Sequence, residues 1–224
     1  MPPAQVADPT LLELARGGSQ WAKVGFGVLA AGAVVGLLAL TVLRPGKPKG
    51  GGASARVEGT PSFKVDYARG ELKVSKSAAG SLLLVDKGDD PQGSRLYVTP
   101  LQLAAYQGSP SGAMPMATPE ARKTISARFD AGTVSFIDEG LVNIGPNPGY
   151  QLSYTAKRDG KTWFGRAAIV VPDDDGDRSA VLMDGEEQLY RDPDSKAAPK
   201  IIGPRAVGRQ GDLRRPMRSL VFTG

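Results

Sequence analysis

The sequence predicts an α+β domain, with an antiparallel sheet and a helix on one or both of its faces, preceded by a single transmembrane helix. An apolar run of twenty residues near the N-terminus is long enough to span a bilayer. Downstream, short alternating stretches indicate strands, and one segment with an apolar stripe indicates a surface helix. The predicted organisation is a short tail over 1–23, the membrane span over 24–43, a flexible linker over 44–61, and a globular domain over 62–224 whose basic C-terminal tail covers 190–224.

The composition and charge of this chain limit the kinds of functional site that it can form. Its 224 residues include no Cys and no His. Disulfides, thiolate metal sites and mechanisms that need an imidazole or a thiol are therefore excluded. The net charge of +5 divides into +3 for residues 1–59, −3 for 60–189 and +5 for 190–224. Because the basic character belongs to the two ends, a basic face across the whole domain is not predicted.

The apolar run from Val24 to Leu43 contains no charged residue, Asn, Gln or Pro. At about 1.5 Å per residue it covers roughly 30 Å, the thickness of the hydrocarbon core of a bilayer. Trp21, Lys23 and Arg44 flank the run with the residue types that favour the interface. A cleavable secretory signal would have a shorter apolar stretch followed directly by small residues. We therefore expect residues 24–43 to form a membrane-spanning helix that is not cleaved from the protein.

Two smaller features accompany the span. Residues 8–17 combine an N-cap Asp, a Pro at the first helical position and a closing Gly, which predicts a short amphipathic helix. Gly32 and Gly36 have the spacing that lets two membrane helices pack closely. A homodimer, or docking on another membrane protein, would use this spacing. The plainer alternative is that Gly is common in membrane helices.

Two features of the sequence predict opposite orientations of the span. Lys and Arg near the membrane are more numerous on the C-terminal side of the span, which places the globular domain in the cytoplasm by the positive-inside rule. The short N-terminal tail is easily left inside the cell, however, and that arrangement places the domain outside.

Before the predicted helix, the globular domain has four candidate strands. Alternating residues over 63–67 and 72–74, with a turn between them, predict a hairpin with one buried face. The stretches 81–85 and 95–99 predict two further strands. Residues 107–118 are rich in Gly, Pro and Ser and predict a loop.

A helix is predicted to begin at Thr118 as N-cap and to end at Gly132. Ala121, Ile125 and Phe129 recur every four residues and form one narrow apolar stripe. The opposite side of the helix is interpreted as a solvated face, with these cations: Arg122, Lys123 and Arg128.

Four strands are predicted after the helix, the last three of them forming an antiparallel meander. Their ranges are 133–137, 150–157, 162–171 and 179–183. Asp159 and Gly160 provide a two-residue hairpin turn, because both residue types tolerate a positive φ. An acidic run over 173–177 joins the last two strands.

The stretch GYQLSYTAKRDGKTWFGRAAIVVPDDDGDRSAVLM, over 149–183, resembles the central meander of PsbP-like and LpqN-type domains. Ser219, Leu220, Val221 and Phe222 are similar to the segment that closes the fold in that family. The family's long helix before this segment is not matched, since Pro and Gly interrupt 191–216. The resemblance implies a non-enzymatic domain outside the cytoplasm that binds partners or a membrane complex.

Three large side chains of the meander are candidate partner contacts: Tyr150, Trp163 and Phe164. Neighbouring residues in a strand point to opposite faces, so a sheet covered on one face would expose one of the pair at 163 and 164. If a second layer covers the other face, Trp163 is a core residue instead.

The basic tail offers candidate contacts with anionic lipid headgroups. The residues concerned are Arg205, Arg209, Arg214, Arg215 and Arg218. The plainer interpretation, and the one that the Pro and Gly of the tail favour, is an exposed, poorly ordered strap. Nucleic acid is not a predicted partner, because no aromatic side chains interleave with the cations to stack bases.

Carboxylates give two further hypotheses. The acidic run 173–177 has alternating carboxylates that suit calcium, but it lacks the glycine of an EF-hand loop, and a solvated turn is the plainer alternative. Hydrolysis by carboxylate pairs at 138–139 or 186–187, or by Ser75 with Lys76, would need adjacent side chains that converge, whereas those in a strand diverge. No cofactor is predicted.

The function that these observations predict is a single-pass, membrane-anchored binding or assembly module without enzymatic activity. Its globular domain is expected outside the cytoplasm, where it contacts a membrane or envelope protein. The alternatives are a cytoplasmic adaptor whose basic tail contacts anionic lipid, and a carboxylate-dependent hydrolase.

Overall fold

A computed structural model describes residues 51–78, 80–90, 93–108, 110–172, 178–188 and 203–223. The predicted N-terminal tail, the predicted span with Gly32 and Gly36, and the acidic run 173–177 lie outside these ranges. In the part of the chain that is described, no helix has the length and apolar character needed to cross a membrane.

The described residues form two antiparallel sheets and a short helical region. The strands are β1 Gly52–Val57, β2 Phe63–Ala68, β3 Leu72–Ala78, β4 Ser81–Asp86, β5 Arg95–Gln102, β6 Ser135–Ile144, β7 Asn147–Arg158, β8 Lys161–Val170, β9 Ser179–Gln188 and β10 Val221–Phe222. The helices are α1 Pro110–Ala113 and α2 Thr118–Ser126, joined by a 3₁₀ turn over Met114–Ala117. Seven strands form the large sheet in the order β3-β4-β5-β9-β8-β7-β6, and β1-β2-β10 form the small one. The architecture is therefore α+β, as predicted.

The predicted meander is confirmed as β7, β8 and β9 of the large sheet. Arg158 lies opposite Lys161, and the two residues between them turn the chain with positive φ angles of 52° at Asp159 and 72° at Gly160. These are the angles that a tight hairpin turn requires. The strand before the meander is longer than predicted, since β6 extends to Ile144 and pairs with β7 along its length.

The predicted hairpin between 63–67 and 72–74 is wrong. β2 pairs with β1 and β10 in the small sheet, whereas β3 pairs with β4 in the large one. The turn after β2 thus carries the chain from one sheet to the other. Alternation predicts a strand and its buried face, but it does not identify the neighbour to which the strand hydrogen bonds.

The partner of β2 lies in the stretch predicted as a flexible linker. Gly52–Val57 forms β1, in which Ala53, Ala55 and Val57 are buried and the residues between them are exposed. The linker therefore cannot extend to residue 61. This strand could not be predicted from its small side chains, because Gly and Ala are weak strand formers and are frequent in linkers.

Helix α2 covers one face of the large sheet and is shorter than predicted. Ala121 and Ile125 are buried as expected, but the helix ends at Ser126, and Phe129 reaches the same core from the turn that follows. Ala117, rather than Thr118, is the N-cap residue. The stretch predicted as a loop before it contains α1 and the 3₁₀ turn, whose Met114 is buried.

The other face of the large sheet is covered by the small sheet and by residues 203–223, which we call the C-terminal segment. Val207, Leu213, Met217 and Leu220 of this segment are buried in the core between the two sheets. The prediction of a poorly ordered strap is therefore wrong for these residues. The predicted closing strand is confirmed as β10, which pairs with β2.

Glycine makes room for the C-terminal segment on the sheet. A Cβ atom at Gly185 of β9 would lie 2.6 Å from Sδ of Met217 and 3.1 Å from Cδ1 of Leu213. At Gly208, within the segment, φ is +68° and a Cβ atom would lie 2.2 Å from the same sulfur atom. Larger residues at either position would push the segment away from the sheet.

Candidate functional site

The C-terminal segment presents five arginines to solvent, and we call this set the arginine face. Its members are Arg205, Arg209, Arg214, Arg215 and Arg218, and all five are exposed. Buried apolar residues lie between the arginines along the segment, so they fix the backbone while the cations remain exposed. Arg205 forms a 3.2 Å ion pair with Asp138 of β6. The arginines predicted as lipid contacts are thus held on one folded segment.

An open cavity of about 460 Å³ lies beside the arginine face. Ile137, Pro204 and Ala206 contribute apolar surface, and Arg205 and Arg209 contribute charge. Ile137 is 54% exposed although it lies in a strand. Protein interfaces commonly combine apolar pockets with arginine in this way.

A second cavity, of about 360 Å³, lies between the β6–β7 turn, β8 and the C-terminal segment, and we call it the arginine pocket. Arg166, Arg209 and Arg218 line it, together with Asn143 and Gly145. Arg166 lies on β8, on the face that the C-terminal segment covers, and is only 7% exposed.

Hydrogen bonds hold the guanidinium of Arg166 in place. Its Nε and Nη2 atoms donate to Oε1 of Gln151 at 3.0 and 2.8 Å, and Nη1 donates to the backbone oxygen of Val207 at 3.5 Å. Burial lowers the pKa of Arg166, and the nearby charges of Arg209 and Arg218 lower it further. The three arginines therefore repel one another in this pocket.

On the helix side of the large sheet, two buried carboxylates of β9 are paired with two arginines. Arg128 forms an ion pair with Asp184, and its Nε atom donates to Glu186 at 2.9 Å. Nη2 of Arg158 donates to the other oxygen of Glu186 at 2.7 Å. The hydroxyl of Tyr154 donates to Asp184 at 2.9 Å. The expectation that Arg128 lies on a solvated face is wrong, because these carboxylates draw it inward.

Burial shifts the pKa values in this cluster. Removal from water, together with the negative charge of Glu186, raises the pKa of Asp184 to about 7 against the opposing charge of Arg128. Burial also raises the pKa of Tyr154 well above its usual value. For Arg128, burial lowers the pKa, but Asp184 and Glu186 outweigh it, so the net shift is upward. The two arginines of the cluster compensate its two carboxylates by forming ion pairs with them. Both carboxylates are buried, so they are not accessible to a substrate.

The candidate partner contacts of the meander have different environments. Trp163 is 2% exposed in the core under α2, and the guanidiniums of Arg158 and Arg95 lie 4.7 and 5.3 Å from its ring centre. Trp163 is therefore a core residue, because both faces of the sheet are covered. Phe164 and Tyr150 are half-buried against the two cores, on opposite faces.

The carboxylate pairs considered for hydrolysis diverge. Asp138 pairs with Arg205, whereas Glu139 pairs with Arg122 at 2.6 Å. Glu186 joins the arginine cluster under the helix, while Glu187 accepts a 3.2 Å hydrogen bond from the hydroxyl of Ser94. Ser75 and Lys76 are both exposed on β3. The acidic run 173–177 lies outside the described residues, so its cation binding stays a prediction.

Sequence reasoning missed Arg166 and Asp184. Each interrupts an apolar strand, in the stretches WFGRAAIVV and AVLMD. A charged residue at an alternating position of a strand with two covered faces must be buried, and it therefore needs a partner. A charged residue within an apolar strand is therefore a signal of a buried ion pair or hydrogen bond. It can be interpreted in this way only when both faces of the sheet are known to be covered.

No family model matches the chain, and no curated protein matches it either. Among solved structures, it is similar to LpqN of Mycobacterium tuberculosis, described as involved in cell envelope biogenesis, with 11% identity and a TM-score of 0.48 over 77% of this chain and 92% of that one. It is also similar to the Ran-binding protein Mog1p of Saccharomyces cerevisiae, with 12% identity and a TM-score of 0.48 over 77% and 96%.

A third similar structure is PsbP (CyanoP) of Synechocystis sp. PCC 6803, with 14% identity and a TM-score of 0.38 over 65% of this chain and 86% of that one. LpqN and the PsbP of Synechocystis carry the names of the two protein types that the stretch 149–183 resembles.

Proposed function

We propose that this protein is a single-pass, membrane-anchored binding module without enzymatic activity. Residues 24–43 anchor it in the bilayer, and its globular domain faces outward. There the arginine face binds an acidic surface of another envelope protein, and the open cavity beside it receives an apolar side chain of that partner.

The observation that carries this proposal is that the arginine face is built on a folded segment. Exposed cations on a flexible tail contribute little fixed geometry, whereas these are held by four buried anchors and Arg205 is further held by Asp138. A fixed array of arginines beside apolar surface supports recognition of a protein.

Two observations favour binding over hydrolysis. The buried carboxylates Asp184 and Glu186 are already neutralised by Arg128 and Arg158. The carboxylates nearer the surface, Asp138 and Glu139, pair with different arginines instead of converging on one point. A hydrolase of the predicted kind needs two carboxylates that reach the same bond.

Site-specific crosslinking in native membranes tests the binding surface. Gln210 is exposed and lines the open cavity, so a photoreactive residue there should crosslink the full-length protein to one membrane protein. The variant R205Q/R214Q/R215Q should lower the yield at least about tenfold, because three charges of the arginine face are lost.

The matched control is K76Q/K123Q/K161Q, which removes three exposed cations elsewhere on the domain. It should leave the yield within about twofold, as expected for charges outside the interface. Crosslinking to phospholipid alone would replace this proposal with the lipid-adaptor alternative. An equal loss in both triple variants would show that only net charge matters and would refute a specific arginine face.

A further inference from the structure

We propose that the arginine pocket binds a phosphate group, which Arg166 holds from below while Arg209 and Arg218 hold it from the solvent side. This inference goes beyond the proposed function, because the ligand is a phosphate-bearing molecule and not the acidic protein partner. Two of its residues, Arg209 and Arg218, belong to the arginine face as well, but Arg166 is buried and belongs to the pocket alone.

The charge balance of the pocket is the first argument. None of the described residues that line it is acidic, while three are arginines. Arg166 is held by a neutral amide oxygen and a backbone oxygen, so its charge is oriented but not neutralised. Removing a cation from water is costly unless an anion compensates it. A bound anion would supply the missing negative charge.

The donors left in the pocket are the second argument. A guanidinium has five N–H groups, and three hydrogen bonds of Arg166 are formed with described residues. Within the described ranges, Arg209 and Arg218 form no ion pair, in contrast to Arg205 of the same segment. Guanidinium groups match the oxygens of a phosphate with paired hydrogen bonds.

The number of cations selects the ligand chemistry. A phosphate monoester carries about −1.5 to −2 charges at neutral pH, whereas a carboxylate carries one. Three arginines around one cavity therefore favour the phosphate. The volume of about 360 Å³ is at the lower end of the range for small-molecule pockets, and it has room for the phosphate and part of the group attached to it.

The walls of the pocket are fixed by contacts that do not use the side chains of its arginines. Gly145 of the β6–β7 turn has φ of +59°, and a Cβ atom there would lie 3.1 Å from the backbone oxygen of Arg218. Nδ2 of Asn147 donates to the backbone oxygen of Leu220 at 2.9 Å. These contacts hold the turn against the C-terminal segment, so the cavity is preformed.

Calorimetric titration of the full-length protein in phosphate-free, non-ionic detergent tests the pocket, with inorganic phosphate as the first probe and chloride at equal ionic strength as its control. We expect saturable binding of one phosphate per chain. The variant R209Q/R218Q should weaken it by at least about tenfold, because two charge-assisted contacts are lost. The control R214Q/R215Q, on the same segment but outside the pocket, should stay within about twofold of the unmodified chain.

The source of the phosphate is distinguished by two further probes, glycerol 1-phosphate and vesicles that contain phosphatidic acid. Binding of the first identifies a soluble phosphate ester, and binding of the second alone identifies a lipid headgroup. Either result supports the pocket if R209Q/R218Q abolishes it. Absence of saturable phosphate binding, or equal weakening by R214Q/R215Q, would overturn it.

The variant R166Q separates this inference from the proposed function. It should lose phosphate binding and keep the crosslink from Gln210, since Arg166 is buried away from a protein partner. If R166Q does not fold, R209Q/R218Q still decides the question, because both arginines are exposed. In the unmodified chain, saturable phosphate binding without a crosslink from Gln210 would count against the proposed function only.

Discussion

Arg128 compensates the negative charge of two carboxylates that are buried in this domain. It contacts Asp184 and Glu186 on the same face of β9, and its guanidinium lies 4.3 Å from the ring centre of Tyr97. Without a cation between them, two buried carboxylates would repel each other in a medium of low polarity. Arg158 completes the compensation from the other side of Glu186.

The raised pKa of Asp184 predicts a dependence of stability on pH. The ordinary value is 3.8, and in the folded protein burial raises it to about 7. Between these two values the folded state binds more protons than the unfolded state, so the free energy of unfolding falls as the pH rises from about 4 to 7. The contribution of one group is at most about 1.4 kcal/mol per pH unit.

Urea unfolding of the full-length chain in detergent, repeated across this pH range, measures the effect. The variant D184N cannot titrate, so the slope contributed by Asp184 should disappear. D138N makes the same change at a carboxylate near the surface and should keep the slope of the unmodified chain. Equal slopes for D184N and the unmodified chain would contradict the assignment.

The hairpin of β7 and β8 could be predicted from the sequence, because Asp159 and Gly160 determine a local turn. The arginines of the C-terminal segment could also be identified as exposed cations. Their anchoring could not, because Val207, Leu213 and Met217 are separated by Gly and Pro and follow no helical or strand period. The arginine pocket could not be predicted either, because its residues come from three segments that are distant in sequence.

The packing of the C-terminal segment against β9 depends on the absence of a side chain at Gly185. Gly185→Ala places a methyl group against Met217 and Leu213, and this overpacking should cost about 1 to 3 kcal/mol of unfolding free energy. Trypsin should then cleave faster at Arg209 and Arg214, because the segment detaches more often.

Gly140→Ala is the matched control, because an added Cβ atom there meets nothing within 4 Å. It should change neither the unfolding free energy nor the cleavage rate appreciably. If Gly185→Ala behaved like this control, the segment would not depend on close contact with β9, and the arginine face would not be held in place by this contact.

At the scale of the whole molecule, the predicted anchor determines where the binding surface can act. Residues 24–43 carry no charge, and we expect the full-length protein to stay in the membrane pellet after alkaline carbonate washing. The variant L37R/L38R should move it to the supernatant, because each arginine at the centre of a span costs about 3 kcal/mol.

Release of the unmodified protein by carbonate would contradict the anchor. Protease treatment of intact cells then tests its orientation, since an outward domain should be degraded and a cytoplasmic one protected. Degradation is the outcome that the short N-terminal tail predicts, and protection is the outcome that the positive-inside count predicts.

The small sheet places the first and last strands of the described domain on either side of β2. A mechanical load that enters the domain through the residues before Gly51 reaches the hydrogen bonds between β1 and β2 before any bond of the large sheet. Stretching the protein from its N-terminal end would therefore break the hydrogen bonds between β1 and β2 first. The pairing of β2 with β10 would weaken next, while the strands of the large sheet stayed paired.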